Sequence, residues 1–416
     1  MILGDARIKW LLSGVSADKI PLESNIRCQI SRFGRYIFKL RYAISFAVFF
    51  FVFIKLLFLY LFQFFFRKSI LSNNISSVII GVGRGYEVKS VIKFFEINSN
   101  NSIIVDNAFV IDNFFRCNRV GFYNLLSSAL YSLGCFYSIL KYKGQDELIS
   151  LILEKSVKNI VAFSYFRAFF IELKKIQDNI VIYIDVVILQ SLAAISVELK
   201  VINVTHGLIK LINPYIYPEY YSIYVYSEEE RQYLLSLGLK SRIYVYKSSN
   251  IKHKEKSVVI FMTDLMISAD VSDLKNVIKL FKLFDYKIQV KLHPLNYSSK
   301  KFSKENSIEK HNWGDKLDLS NIEMIGDIDT TSVLTEKKPS FVVAWDSTAL
   351  CEALNMKIIP ISMMELLNKK ATGHLNVYRF RNRSLLWPSE KNIISEIVAN
   401  YSQESYNETI EMLRSR

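Results

Sequence analysis

The spacing of apolar and polar positions divides the chain into two unlike regions. Residues 43–66 read AISFAVFFFVFIKLLFLYLFQFFF, an apolar block whose single charge is Lys55. From residue 76 onward, short apolar runs alternate with longer amphipathic segments. Alternation of strands with helices predicts parallel sheets with helices on both faces, which is the doubly wound α/β class.

The predicted strands are short apolar runs that end in small or polar residues. The first series comprises residues 77–80 with a glycine turn to 85, then 102–107, 159–164, 200–207 and 222–227. The second series comprises residues 257–264, 287–294, 321–327 and 341–344. Helices are predicted at 86–96, 227–238, around 271–284 and from 349 onward. Between the two series, residues 242–257 form a short strand and a lysine-rich break, which we interpret as an interdomain linker.

The length of 416 residues exceeds one ordinary domain of roughly 100–200 residues. We expect two doubly wound domains, at 76–248 and 257–380, that face each other across a cleft. A helical tail at 381–416 is expected to brace the first domain. Ligands of such folds bind at the carboxyl ends of the strands, so residues directly after strands are the candidates for chemistry.

The apolar block suggests membrane contact for an N-terminal segment at 1–75. A helix over 43–66 could cross a hydrocarbon core of about 30 Å. Lys55 in its middle and basic residues on both flanks favour a helix that lies in, or dips into, the cytoplasmic leaflet. A true crossing and a buried core helix are the alternatives. The flanking basic residues are Arg32, Arg35, Lys39, Arg41, Arg67 and Lys68.

Net charge indicates the class of partner, and cysteine spacing indicates whether the thiols are free. The formal net charge is +14, which favours partners rich in phosphate. The basic residues are dispersed, and the sequence has no Cys/His zinc module or RNP signature, so we do not expect nucleic-acid binding. The four cysteines have no paired spacing, which indicates free thiols rather than disulfides or a metal cage.

The strongest candidate element is FVVAWDSTALCEAL, which reads as strand, turn and helix. Ser347 and Thr348, preceded by Asp346, stand at the predicted helix start, where free N–H groups and the helix dipole favour phosphate. Glu352 stands about one turn further on, within reach of a ribose hydroxyl. Helix capping by Asp or Ser is the alternative interpretation of this turn.

A histidine follows a predicted strand in each domain. His293 and Pro294 close the strand KIQVKL, where the imidazole could donate to a phosphate oxygen. In the first domain, His206 follows KVINVT and could act as the general base that deprotonates an acceptor hydroxyl. The alternative for each is a histidine with a structural hydrogen bond.

Other residues of the first domain could also bind or deprotonate a substrate. The turn through Gly83, Arg84 and Gly85 lacks the G-x-G-x-x-G spacing, yet it could admit phosphate or acceptor close to the backbone. Glu87 and Asp185 stand near the ends of predicted elements and are further candidates for the base. Asp327-Ile328-Asp329 has the letters of a metal motif but falls in a predicted loop. We therefore expect no metal ion and no cofactor.

The order THG, YVYSEEERQYLLSLG, KLHP and WDSTALCEAL resembles bacterial GT-B glycosyltransferases of surface-polysaccharide assembly. That group includes sialyl-, polysialyl- and Kdo-transferases and, more distantly, CDP-glycerol glycerophosphotransferases. The resemblance covers about residues 76–365 and implies a GT-B fold of two Rossmann-like domains. It implies that His293, Ser347 and Thr348 bind the phosphate of a CMP-sugar. The Asp/Glu-Asp-Gly motif that supplies the base in sialyltransferases is absent from this sequence.

The glycerophosphotransferases suggest a different base. In that group a His-Gly histidine is the natural base, which resembles His206-Gly207, although Thr205 replaces the usual tryptophan. The resemblance thus predicts metal-independent transfer of a sugar from a CMP-sugar to a lipid-linked glycan, at the cytoplasmic face of the bacterial inner membrane. A phosphopolyol transferase, a nucleotide-sugar epimerase and a non-enzymatic membrane scaffold are the alternatives.

Overall fold

The computed structural model describes much of the chain and divides it into two compact units. The described residues are 9–12, 41–66, 75–81, 85–105, 120–140, 146–184, 188–204, 217–225, 228–246, 256–262, 270–291, 322–326, 328–344, 349–363, 391–402 and 404–414. One unit is built mainly from residues before 245, and the other mainly from residues after it. Within the described residues, each unit contains one β-sheet.

The sheet of the first unit has six strands in the order β2-β1-β3-β4-β5-β6. The pairs from β2 through β5 are parallel, with Ser77 in register with Ser102 on one side and Val181 on the other. The strands are β1 (Ser77–Ile80), β2 (Ser102–Val105), β3 (Val181–Ile184), β4 (Lys200–Val204), β5 (Ser222–Val225) and β6 (Arg242–Val245).

Helices connect most of these strands. They are α1 (Lys9–Leu12), α2 (Arg41–Phe66), α3 (Gly85–Phe94), α4 (Phe122–Ile139), α5 (Asp146–Ile176), α6 (Ile188–Ile195) and α7 (Glu228–Ser236). A single 3₁₀ turn over Ser99–Asn101 leads into β2. After α7, Gly238 has a φ of 75°, a conformation that glycine adopts without strain.

Helix α5 forms much of the core of the first unit. Its aromatic side chains Phe163, Phe166 and Phe169 are fully buried, and it packs against α4, α6, α2 and α1. The ring of Trp10 stacks on that of Phe163 at 4.2 Å. The prediction of a strand at 159–164 is wrong, because these residues lie inside α5. A helix that is buried on most sides has a continuous apolar run that periodicity alone does not distinguish from a strand.

The sheet of the second unit has five parallel strands in the order β11-β10-β7-β8-β9. They are β7 (Ser257–Phe261), β8 (Lys287–Lys291), β9 (Glu323–Ile325), β10 (Phe341–Ala344) and β11 (Ile359–Ser362). The helices are α8 (Asp270–Leu283), α9 (Thr330–Lys337), α10 (Ala349–Asn355), α11 (Lys391–Asn400) and α12 (Tyr406–Arg414). The prediction of parallel α/β sheets is therefore confirmed.

Alternate residues of the second sheet enter two separate hydrophobic cores. Val258, Ile260 and Phe341 pack with α8, α11 and α12, whereas Val259 and Val342 pack with α9 and α10. Because successive side chains of a strand point to opposite faces, the sheet has helices on both faces. This layering is what the doubly wound class requires.

The C-terminal tail packs on the second sheet, and whether it also braces the first domain stays a prediction. Ile394 and Val398 of α11 and Tyr406 of α12 belong to the core of the second unit. The Tyr286 hydroxyl donates to the carbonyl oxygen of Val398 at 3.0 Å, and the Tyr406 hydroxyl donates to that of Leu354 at 3.0 Å. The apolar faces of α11 and α12 thus complete one of the two layers of this unit.

The apolar N-terminal block is helical, since α2 spans residues 41–66. Among the residues that the structure describes, no helix combines the length and the hydropathy needed to cross a membrane. Whether α2 contacts lipid stays a prediction.

A charge cluster joins two strands and a helix of the second unit. The Glu323 carboxylate accepts hydrogen bonds from Lys337 at 2.7 Å and Gln289 at 2.8 Å, and it pairs with Lys287 at 3.2 Å. The bonds from Lys337 and Gln289 hold the pKa of Glu323 at about 2, although partial burial acts in the opposite direction. The cluster fixes the end of α9 beside the start of β9.

Replacing Glu323 by Gln should destabilise the protein in a pH-dependent way. A carboxylate whose pKa is lowered by folding stabilises the protein above about pH 4.5, and this contribution is lost as pH falls toward about 2. For this partly exposed group we expect a loss of about 1 kcal/mol at neutral pH. Urea unfolding of E323Q at pH 7 and in acid measures it. Glu396→Gln, which changes an exposed carboxylate on α11, is the matched control; equal losses in both variants would contradict the prediction.

Candidate functional site

The strand order of the second sheet defines a binding position at its carboxyl edge. Counted within the sheet, the order is 3-2-1-4-5, and the chain reverses direction of winding between β7 and β10. Ligands of doubly wound folds bind outside the carboxyl ends of the strands at this switch point. Strand β10 ends at Ala344, and α10 begins at Ala349. The predicted phosphate-binding residues Asp346, Ser347 and Thr348 fall between them in the sequence, outside the described residues.

The histidine candidate of the second unit follows the neighbouring strand. Strand β8 ends at Lys291 and pairs with β7. His293 and Pro294 come directly after it in the sequence and lie outside the described residues. Their role in phosphate binding stays a prediction, and it rests on their place after a strand adjacent to the switch point.

The first sheet has a switch point of its own, between β1 and β3. Its order begins 2-1-3-4. Strand β1 pairs with β2 on one side and with β3 on the other, so the direction of winding reverses between β1 and β3. The glycine turn follows β1, and Asp185 follows β3 directly. Gly83, Arg84 and Asp185 lie outside the described residues, whereas Gly85 is the first residue of α3.

Two further candidates of the first unit remain untested. His206 comes after the end of β4 at Val204 and lies outside the described residues. Glu87 lies in the first turn of α3, but its side chain is outside the described part. Both stay predictions for the general base.

Glu352 is the candidate whose side chain the structure describes. It stands in the first turn of α10 and is partly buried. The Thr331 hydroxyl donates to its Oε2 at 2.8 Å. Burial raises the pKa of Glu352 to about 7; the hydrogen bond from Thr331 lowers it, and the charge of Asp329 raises it. Glu352 is therefore close to half-protonated at neutral pH.

Helix α9 supplies the two groups around Glu352 that were not predicted from the sequence. Asp329 caps α9, accepting a hydrogen bond from the backbone N–H of Ser332 at 2.9 Å. Thr331 lies in the first turn of α9, and α9 contacts α10. The N-cap pattern of an aspartate before Thr330-Thr331-Ser332 could have located the helix start. Which neighbour Thr331 would contact depends on tertiary packing.

The carboxyl group of Glu352 gives the site its chemical capacity. Its Oε2 accepts a hydrogen bond from the Thr331 hydroxyl. An ionised carboxylate can accept two hydroxyl donors, and a protonated one can donate. A nucleotide lying across the start of α10 would bring its ribose hydroxyls within reach of such a carboxylate.

The predicted absence of a metal is not tested by the site. Among the described residues, no group of three or more His, Cys, Asp or Glu side chains is arranged to hold a metal ion. Asp329 of the Asp327-Ile328-Asp329 sequence is engaged as the cap of α9, and Asp327 lies outside the described residues.

No protein-family model matches the sequence, and no curated protein sequence matches it either. Several solved structures are similar. The UDP-GlcNAc 2-epimerase of Methanocaldococcus jannaschii is 14% identical over 82% of this chain and 99% of its own, with a TM-score of 0.41. A trehalose-6-phosphate synthase is 10% identical over 82% and 94%, with a TM-score of 0.39. A glycosyltransferase from Rickettsia africae is 12% identical over 82% and 97%, with a TM-score of 0.36.

These scores are too low to assign the chain to any of the three families.

Replacing Glu352 by Gln should stabilise the protein at alkaline pH. Folding raises the pKa of this carboxyl from about 4.5 to about 7, so the folded state binds more protons in that window, and stability falls as pH rises through it. The amide retains an acceptor for Thr331 and removes the buried charge. We expect a gain of about 2 kcal/mol at pH 8, less than the full shift implies because the side chain is partly exposed, and little gain at pH 5.

Denaturant unfolding across this pH range provides the measurement. Glu336→Gln, at an exposed position of α9, is the control and should show no such pH dependence. A stability difference between E352Q and the unaltered chain that does not grow with pH would contradict the prediction.

Proposed function

We propose that the chain is a glycosyltransferase that takes its sugar from a nucleotide-linked donor. The observation that carries this proposal is the second sheet, whose switch point lies between β7 and β10, with the Glu352 carboxyl in the first turn of the helix that follows β10. Folds with this strand order bind nucleotides at that position. The residues between β10 and α10 include Asp346, Ser347 and Thr348, whose backbone N–H groups and hydroxyls would bind the phosphates of a nucleotide.

The donor would be held by two kinds of contact. Backbone N–H groups and hydroxyls at Ser347 and Thr348 would bind the phosphates, because a helix N-terminus favours negative charge. Glu352 would accept hydrogen bonds from the ribose hydroxyls through its carboxylate. His293 would donate to a phosphate oxygen and stabilise the charge on the leaving nucleotide.

The first unit would bind the acceptor substrate and supply the general base. The acceptor hydroxyl attacks the anomeric carbon of the sugar as the bond between that carbon and the phosphate oxygen breaks, and the nucleotide leaves with the bonding electron pair. His206 takes the proton of the hydroxyl, with Glu87 or Asp185 as the alternative bases. The turn of Gly83, Arg84 and Gly85 admits the acceptor close to the backbone, with Arg84 as a counter-charge.

The finer assignment follows the resemblance of the short motifs. We propose a CMP-sugar, of the sialic acid or Kdo type, as donor and a lipid-linked glycan of capsule, O-antigen or lipopolysaccharide synthesis as acceptor. Such an acceptor would place the chain at the cytoplasmic face of the bacterial inner membrane, as a peripheral or monotopic protein. The strands and side chains described above favour a nucleotide in general and do not select its base.

Nucleotide binding is the first test of this proposal. Purified full-length protein should be stabilised by one nucleotide among CMP, CDP, UDP and GDP, by about 2.7 kcal/mol when that ligand is present at about 100 times its dissociation constant. Thermal unfolding measures the effect, and His293→Ala should reduce it. Stabilisation by CMP would support the CMP-sugar donor, and stabilisation by CDP would redirect the search to phosphopolyol transfer.

No stabilisation by any of the four nucleotides would count against the enzyme and favour the scaffold alternative. Release of nucleotide from the cognate sugar donor without transfer to an acceptor would instead point to an epimerase or a hydrolase.

The role of Glu352 predicts a pH-dependent affinity. If ribose hydroxyls donate to the ionised carboxylate, binding must deprotonate Glu352, so the affinity should be about tenfold higher at pH 8 than at pH 6. Isothermal titration of the unaltered chain and of E352Q isolates this contribution from titration of the nucleotide itself. A 2′,3′-dideoxy nucleotide should bind without the extra pH dependence. The same pH profile for E352Q and the unaltered chain would refute the ribose contact.

Metal dependence distinguishes this mechanism from metal-assisted transfer. We expect turnover to persist in excess EDTA, because a helix start and His293 would stabilise the leaving phosphate without a divalent cation. A complete loss of turnover that Mg²⁺ or Mn²⁺ restores would contradict this expectation.

A further inference from the structure

Helix α2 exposes an extensive apolar surface. Among the α2 side chains that the structure describes, nine large apolar ones are at least 40% exposed, and six of these are phenylalanines. They are Phe46, Phe49, Phe50, Phe51, Phe53, Ile54, Leu57, Phe58 and Leu61. Folded monomers rarely expose contiguous apolar patches larger than a few hundred Å², so such a surface marks a place of interaction.

The remaining side of α2 is fixed to the first unit. Val48, Val52 and Leu56 are buried at a spacing of four residues, which is one stripe along the helix. The helix contacts α5 and α4, and the ring of Tyr60 meets that of Phe122 at 5.1 Å. One side of α2 therefore packs on protein while its apolar remainder faces outward.

The breadth of the exposed surface favours a fluid partner. Phe49, Phe50 and Phe51 are consecutive and all exposed, and at about 100° per residue they alone span about 200° of the helix circumference. A folded partner of fixed shape contacts one side of a helix. Acyl chains, in contrast, conform to any apolar contour that enters them.

Lys55 is placed to meet anionic head groups. Lys55 is exposed, yet it stands one residue before buried Leu56 and seven after buried Val48, so it lies beside the packed stripe and not in the centre of the apolar surface. Arg41 begins α2, and Arg67 and Lys68 follow its last residue in the sequence. When α2 is immersed to half its thickness, Lys55 lies among the head groups. Each basic residue at that depth strengthens binding to anionic lipid.

We propose that α2 lies in the plane of an anionic bilayer, with its phenylalanine surface in the acyl region and its Val48-Val52-Leu56 stripe on the protein. This assigns a lipid-binding surface and its orientation. It stands on the exposure and charge of α2 alone, so it holds or fails independently of the proposed sugar transfer.

The test is binding of the full chain to vesicles without any nucleotide. The protein should sediment with vesicles of phosphatidylcholine and phosphatidylglycerol and more weakly with phosphatidylcholine alone. The triple variant Phe46→Ser, Phe50→Ser, Phe58→Ser should bind about a hundredfold more weakly, because it removes three inserted rings. Lys55→Glu should weaken binding about tenfold, and only to the anionic vesicles.

The matched control removes three exposed leucines elsewhere. Leu130→Ser, Leu235→Ser and Leu283→Ser change side chains that are 58%, 41% and 73% exposed on α4, α7 and α8. This variant should bind vesicles as the unaltered chain does. A fluorescence readout tests insertion directly: Phe50→Trp should be quenched by lipids brominated on the acyl chain, and Leu283→Trp should not.

Two results would overturn the proposal. One is vesicle binding that the triple phenylalanine variant leaves unchanged. The other is an absence of vesicle binding in a chain that self-associates through the same three phenylalanines, which would make this surface a contact between copies.

Discussion

The fold depends on parallel strands whose side chains are buried on both faces. Strands of this kind must have a helical layer on each side, because alternate residues point in opposite directions. In the second unit, Val258 and Ile260 require one layer and Val259 and Phe261 require the other. The helices α8, α11 and α12 meet the first requirement, and α9 and α10 meet the second. The C-terminal tail belongs to the second unit for this reason.

Parallel pairing also separates the edge that stabilises the sheet from the edge that could bind a ligand. All five strands of the second sheet begin at one edge and end at the other. Near the amino edge, Glu323 links β8, β9 and the end of α9 through charged and amide donors. At the carboxyl edge the chain leaves β10 for the start of α10, close to Glu352. Substitutions at the carboxyl edge therefore leave the Glu323 cluster intact.

Most strands could be predicted from short apolar runs, although β3 of the first sheet was not. The strands of the second sheet before β11 follow buried runs bounded by polar residues, and all four were predicted. Strand β11 was not predicted; its Pro360 is accommodated at the edge of the sheet, where one side of the strand needs no ladder bond. The run Ile160–Phe163 was assigned to a strand because burial on most sides of α5 removes the helical periodicity.

The candidate site could be predicted in part only. Glu352 was located from its place after a strand and a helix start, and the strand order supports that place. Its partner Thr331 comes from a helix twenty-one residues earlier in the chain, and no local pattern specifies that contact.

The Asp329–Thr331–Glu352 arrangement would couple the protonation of Glu352 to ligand binding. The start of α10 favours a negative charge on Glu352, yet burial and the charge of Asp329 outweigh this and raise its pKa to about 7. Asp329 is engaged in capping α9 and keeps its place. Glu352 is thus a carboxyl whose charge readily changes near neutral pH. A ligand that brings hydroxyl donors would favour the ionised form, so binding at this helix start and proton release are two aspects of one equilibrium.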